Sequence, residues 1–424
     1  MIPELRANFN RDFEPADYSR LLALLEARCG VPIQFRVAET PIFLPERLLD
    51  QMAAAGAAMA ASLMSDREYL DAARRAIPAG YLVTGETSHP HFLTADFALV
   101  RAPSGDLEPR LVEIQAFPSV FGYQSVLNAT YREVFGLADT LHCFLGGLTE
   151  TAYWELLGRT ILGNQHPENV VLTEVDPQHQ KTRADFEVTA RRLGIAVVDI
   201  AALEPLGNRL YYRDGAGKRI PIHRIYNRAI ADELIARNVR LPFDLAQPWD
   251  VEWAGHPNWY FLISKFSLPY LARSGSNPTV PPAVFVDDFL AGPGRERLHA
   301  AGVPLGTSTS PAAVYHQLLL KPLFSFAGKG IQFDPTQAQL EAIPAARRAD
   351  YLLQQRMDFV PTIDTPHGLT QAEIRILYLW PDGGPLTAAL SLVRLGRGKM
   401  MGVDHNRNQE WVGASAAFFP AAES

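Results

Sequence analysis

Two groups of residues in this 424-residue chain have the types and spacing to do chemistry. The first lies in LLLKPLFSFAGKGIQF, residues 318–333. An apolar strand presents Lys321, and a loop carrying Ser325, Gly328, Lys329 and Gly330 follows before a second strand. Glycines let backbone N–H groups come close to an anion, and the two lysines add charge suited to a polyphosphate. The run is not a Walker A loop, because no Ser or Thr follows the Gly-Lys pair and no helix opens directly after it. A hairpin with a glycine turn and two solvated lysines accounts for the same spacing. The second group is Asp96, Glu113 and Gln115. Side chains alternate along a strand, so Glu113 and Gln115 share a face, and Asp96 on a facing strand reaches the same spot. Two carboxylates and an amide oxygen form a hard, oxygen-only set suited to Mg²⁺. An ordinary charged face on a half-exposed sheet fits these residues too.

The elements that must hold these groups read as follows. Residues 93–102 and 109–117 are strand-like, and the turn residues SGDLE between them make an antiparallel hairpin. Residues 1–80 carry apolar residues at helical spacing, and a helical pattern returns over 128–148. ENVVLTEV, an amphipathic helix closed by Gly194, and IAVVDI form a βαβ-like unit, which predicts a parallel sheet. RLYYRDGAGKRIPI reads as a hairpin around Asp214-Gly215, and HRIYNRAI as a strand whose Arg224 and Arg228 either line a substrate pocket or are a pair of surface arginines. EIRILYLW and LTAALSLVRLG are two further strands, bearing Arg375 and Arg394. His89 and His91 lie on one strand face, where hydrogen-bonded histidines are a simpler reading than a zinc pair. DHNRNQEW, residues 404–411, is a polar loop that either faces substrate or is a solvated turn.

In this order the motifs resemble the ATP-grasp ligases. LLLKPLFSFAGKGI is similar to their phosphate-covering lysine and glycine-rich loop, and YLLQQRMDF, residues 351–359, to the hinge strand that meets adenine. Most ATP-grasp enzymes carry a metal-binding Glu-x-Asn strand near the C-terminus. Here its counterpart is LVEIQAFPS in the first third, with Gln115 in place of asparagine. That order resembles the circularly permuted members, such as glutathionylspermidine synthase.

The resemblance implies an α/β and α+β multidomain protein with a permuted ATP-grasp fold. Residues 1–80 would be an N-terminal helical segment. Residues 81–150 would be a metal-binding hairpin and helix joining the C-terminal sheet, 165–245 a Rossmann-like substrate lobe, and 250–424 the nucleotide-binding lobes. It implies ATP and Mg²⁺ as cofactors, with the metal on Asp96, Glu113 and Gln115. Lys265, Lys321, Ser325, Gly328, Lys329 and Gly330 would hold the phosphates, Gln354 and Gln355 would meet the adenine edge, and Arg375 and Arg394 would approach the γ-phosphate. The implied activity is ADP-forming ligation of a small-molecule or peptide carboxylate to an amine or thiol through an acyl phosphate. A small-molecule kinase and a non-catalytic nucleotide-binding protein share the same phosphate contacts.

Composition narrows the partners. The net charge of −7 argues against a general nucleic-acid binder. Two cysteines, Cys29 and Cys143, form no CxxC pair and predict reduced thiols. The N-terminal stretch has no apolar signal core, and the alanine-rich run QMAAAGAAMAASLM is too short to span a bilayer, which points to the cytoplasm.

Overall fold

Five antiparallel strands form the sheet on which the site is built. Their order is Gly413–Ser415, Thr387–Gly396, Gln371–Leu379, Phe92–Arg101 and Leu107–Gln115. The hairpin from the first third of the chain is therefore an integral edge of the C-terminal sheet, with Asp96 opposite Arg375 and Thr94 opposite Leu377. The computed structural model describes residues 1–102, 104–273, 275, 277–306, 310–324, 330–399, 401, 406 and 408–421. Ser325, Gly328 and Lys329 lie outside the described residues, as do Asp404, His405 and Arg407.

Strand alternation divides this sheet into two chemically different faces. Ile374, Ile376, Val393 and Leu395 point to one side, where they pack with the helix Glu46–Ser65. That helix carries the alanine-rich run, and its small side chains allow close approach to the sheet. Gly56 sits against Tyr378, whose hydroxyl donates to the Ala53 carbonyl at 2.9 Å. No helix among the described residues is long and apolar enough to cross a membrane. Glu373, Arg375, Leu392 and Arg394 point to the other side.

The N-terminal residues are woven into the C-terminal ones. After the helices Pro3–Asp12 and Pro15–Cys29, the short strand Ile42–Phe43 pairs in parallel with Ala417–Pro420. Val37 bridges Ala414. Gly413, at φ +122°, brings the backbone so close to the Arg36 carbonyl that a Cβ there would collide with it. The helix expected over 128–148 instead runs Phe121–Val134. It stops because Gly136 turns the chain at φ +58°, where Arg132 reaches forward to donate to the Ala138 carbonyl at 2.6 Å.

A second sheet is parallel throughout, in the order Glu252–Ala254, Arg224–Asn227, Val170–Glu174 and Ala196–Asp199. The helix Arg183–Leu193 connects its last two strands, as the βαβ pattern predicts. A small antiparallel meander follows, with Arg209–Arg213 paired to Arg219–Pro221 around Asp214. The third sheet is antiparallel: Ala283–Phe285, Tyr351–Gln355, Leu318–Pro322 and Gln332–Phe333. Both cysteines are buried and unbridged.

Candidate functional site

The central sheet's polar face, the third sheet and the Trp259–Arg273 region border one open cavity of about 740 Å³. That volume lies within the roughly 300–1,000 Å³ usual for small-molecule sites. The two sheets meet at a bulge. In the hairpin, Asp96 pairs with Glu113 but Phe97 pairs with Leu111, so Val112 is the extra residue. A bulge breaks the alternation of faces, and both Val112 and Glu113 line the cavity. At this kink the third sheet docks. Lys321 Nζ donates to the Val112 carbonyl at 3.4 Å and to Gln354 Oε1 at 2.5 Å. Gln354 Nε2 donates to the Leu111 carbonyl at 3.5 Å.

Lys265 arrives from a third direction. The Ala116 N–H donates to the Ile263 carbonyl at 2.9 Å, which ties the segment bearing Lys265 to the end of the hairpin. Lys265 Nζ lies 3.8 Å from Glu113 Oε2, and Arg375 Nη2 lies 4.0 Å from Glu113 Oε1. Glu113, Gln115, Lys265, Lys321, Arg375 and Arg394 thus line one cavity. Burial pushes the Lys321 ammonium down to about 8, against the pull of Glu113.

Asp96 stands in a different setting from the metal-ligand role suggested by its sequence position. Its carboxylate is 1% exposed and lies beneath the two arginines. Arg375 donates to both oxygens, at 2.5 and 2.7 Å, and Arg394 donates to Oδ2 at 2.9 Å. Burial works against its charge, but Arg375 and Arg394 outweigh it and hold the carboxyl below the usual carboxylate range. With both oxygens engaged, Asp96 acts as the anchor that fixes two guanidiniums on the cavity floor.

Three other expectations are corrected. Arg224 does not line the cavity. It is 3% exposed and knots separate parts of the chain together, donating to Glu252 and Asp382 at 2.8 Å each and to the Ile161 carbonyl at 3.0 Å. Its neighbour His91 lies 2.9 Å from Asp382, and His89 stacks on Trp380. His91 also lies 3.2 Å from Arg224 Nη2 and so belongs to the same knot. Arg228 is also buried, donating to the Pro118 carbonyl and lying 3.5 Å from Thr182, so it supports the cavity wall from behind. The backbone of Gln354 and Gln355 is paired within the third sheet on both sides, and the Gln355 N–H donates to the Pro282 carbonyl at 2.8 Å. The cavity instead meets the next residues, Arg356–Phe359. Gly330 adopts φ +79°, a conformation that suits glycine, one residue before Ile331 on the cavity wall.

Sequence reasoning missed Glu373, Arg356, Lys399 and Phe35, which also line the cavity. Glu373 had a signal, since it sits two residues before Arg375 and so shares its face. It lies 2.6 Å from Arg394 Nη1, and burial pushes its carboxyl up to about 7 against the pull of Arg394. Lys399 lies over the Phe333 ring at 5.6 Å. Among the described residues no three His, Cys, Asp or Glu side chains gather to hold a metal by themselves.

No family model and no curated protein matches the chain. Among solved structures, a glutathione synthetase-like effector (GSS30) from Globodera pallida, solved in apo form, superposes at a TM-score of 0.55 over 96% of this chain and 98% of that one, at 10% sequence identity. A putative γ-glutamylcysteine synthetase from Methylobacillus flagellatus reaches only 0.37, at 12% identity and 85% of each chain, which is too loose to bear on the comparison. The chain accordingly shares the mixed α/β fold of the first of these solved structures.

Proposed function

We propose that this protein is an ATP-dependent, ADP-forming ligase that joins a carboxylate to an amine or thiol, on a circularly permuted ATP-grasp fold. The observation that carries the reading is the shared cavity: Glu113 and Lys321, far apart in sequence, face one space together with Lys265, Arg375 and Arg394. The glutathione synthetase-like fold supports the same reading.

Lys321 and Lys265 are suited to hold phosphate oxygens, and Arg375 and Arg394, fixed by Asp96, to hold the transferred phosphoryl group. Phosphoryl transfer depends mainly on positioning and on neutralising charge, which preset cations supply without reorganising. The substrate carboxylate attacks the γ-phosphorus and ADP departs. The acceptor nitrogen or sulfur then attacks the carbonyl carbon, inorganic phosphate leaves with the bonding electrons, and the acceptor loses a proton. Met357 and Phe359, with Leu319 and Ile331, offer apolar surface for a purine.

Magnesium fits the donor set in part. Glu113 and Gln115 present a carboxylate and an amide oxygen to the cavity, and Mg²⁺ is usually held by one or two carboxylates with phosphate oxygens and water completing its shell. When bound it would neutralise phosphate charge.

The test is ADP release measured against a panel of carboxylates and amines. Turnover that requires one member of each class, and that is abolished by Glu113→Ala, is expected. ADP release with a single acceptor would make the protein a kinase. A nucleotide-dependent thermal shift with no turnover would make it a non-catalytic nucleotide binder.

A further inference from the structure

Glu373 lines the cavity, and the ligation steps above give it no role. It lies on the strand Gln371–Leu379, two residues before Arg375, and pairs in register with Arg394 on one neighbouring strand and with Ala98 on the other. Its side chain is only 7% exposed. A carboxylate so placed needs a counter-charge. Arg394 supplies it, with Nη1 2.6 Å from Glu373 Oε1.

Arg394 therefore stands between two carboxylates, and the two contacts differ. Asp96 lies beneath the cavity floor. It takes a hydrogen bond from Arg394 at 2.9 Å and two more from Arg375, so it cannot withdraw without stranding both guanidiniums. Glu373 stands on the cavity side, and its Oε1, although close to Nη1, is not aligned to accept a hydrogen bond. A phosphate that reaches Arg394 from the cavity thus competes with Glu373 and not with Asp96.

The charges facing Glu373 come from several elements. Arg394 and Arg375 favour its ionised form, as does Lys321 from the third sheet. Asp96 on the adjacent strand and Glu113 on the hairpin edge, the latter 3.8 Å from Lys265, oppose it. Burial outweighs the arginines and pushes the carboxyl up to about 7. A polyphosphate adds negative charge beside it and draws on the arginine that pairs with it. Both effects disfavour the carboxylate further.

We propose that Glu373 takes up a proton from the medium when a polyphosphate binds at Arg394, yields the guanidinium to the phosphate as a neutral acid, and gives the proton back when the site empties. The inference rests on the reading of this cavity as a nucleotide site. Glu373 is thereby a positioning residue that acts through Arg394. The step makes no covalent bond to the nucleotide: one proton leaves the buffer and joins a carboxylate oxygen.

The experiment is calorimetric titration of adenosine 5′-(β,γ-imido)triphosphate with Mg²⁺ into the full-length protein at pH 8, in two buffers of different ionisation enthalpy, which counts the protons taken up. The parent should take up about half a proton or more per nucleotide beyond Glu373→Gln, a comparison in which the nucleotide's own protons cancel. Between pH 6 and pH 8 the parent's affinity should weaken about fivefold or more relative to the variant's. Equal proton counts with nucleotide bound to both proteins overturn the inference and leave the ligase reading standing. Failure of the nucleotide to bind the parent overturns the ligase reading and the inference with it. Should Glu373→Gln not fold, difference infrared spectroscopy of the unaltered protein at pH 8 decides: nucleotide binding must raise the carbonyl band of a protonated carboxyl, and its failure to appear overturns the inference.

Discussion

Replacing Asp96 with asparagine separates an anchoring role from a metal-binding one. The carboxylate is fully enclosed and receives three hydrogen bonds from Arg375 and Arg394. Removing one partner of a buried ion pair costs about 3–5 kcal/mol, because the other charge is left uncompensated. The remaining carboxylates soften the loss. Glu373 stays 2.6 Å from Arg394, but the nearest other carboxylate to Arg375 is Glu113 at 4.0 Å. The asparagine oxygen still accepts one hydrogen bond, so the lower end, about 3 kcal/mol, applies. At roughly 2 °C per kcal/mol for a long chain, the melting temperature should fall by about 6 °C. Thermal unfolding followed by circular dichroism at pH 7, without nucleotide or Mg²⁺, measures this directly. A second variant, Asp96→Asn with Arg375→Met, should lose less than the sum of the two single losses, because the residues are in contact. An Asp96→Asn protein that melts within about 1 °C of the parent, yet loses a Mg²⁺-dependent shift, would refute the anchoring argument and restore Asp96 as a ligand.

Two further predictions concern parts of the chain outside the cavity. Burial pushes the Glu174 carboxyl up to about 8, against the pull of Arg228. The native state therefore prefers it protonated. Its contribution is fully present below the ordinary carboxylate value and is lost as pH rises toward 8, at about 1.4 kcal/mol per unit. Glu174→Gln should match the parent's melting temperature near pH 5 and exceed it increasingly up to pH 8.5; parallel curves would contradict this. Gly56→Ala would drive a methyl group into the buried Tyr378 hydroxyl, which is held by the Ala53 carbonyl. Overpacking of this kind costs about 1–3 kcal/mol, so denaturant midpoints should fall, and Gly56→Ala with Tyr378→Phe should recover part of the loss.

What could be read from sequence follows from how local each signal is. The 92–115 hairpin, the strands bearing Arg375 and Arg394, and the βαβ unit all show alternating or continuous apolar runs bounded by turn residues, and they form as expected. The placement of Glu113 beside Lys321 depended on motif order alone, because no local pattern encodes a contact between distant strands. The role of Asp96 was hidden for the same reason: its partners lie 279 and 298 residues away. Arg224 and Arg228 have the residue type of a substrate contact, and only their burial reveals them as supports. Phe35 carries no motif and reaches the cavity because the N-terminal segment pairs with the last strands. The helix expected at 128 begins at Phe121 because its first turn is fastened by Asp185, which accepts the Tyr123 N–H at 3.0 Å from the helix Arg183–Leu193.

The central claim is that a nucleotide triphosphate lies between the carboxylate-bearing hairpin and the lysine-bearing strand. A crystal structure of the protein soaked with a non-hydrolysable ATP analogue and Mg²⁺ tests it most directly. Phosphate density bridging Lys321, Lys265 and Arg394, with the base against Arg356–Phe359, is the result expected. Nucleotide bound elsewhere on the molecule, with this cavity holding only solvent, would contradict the account.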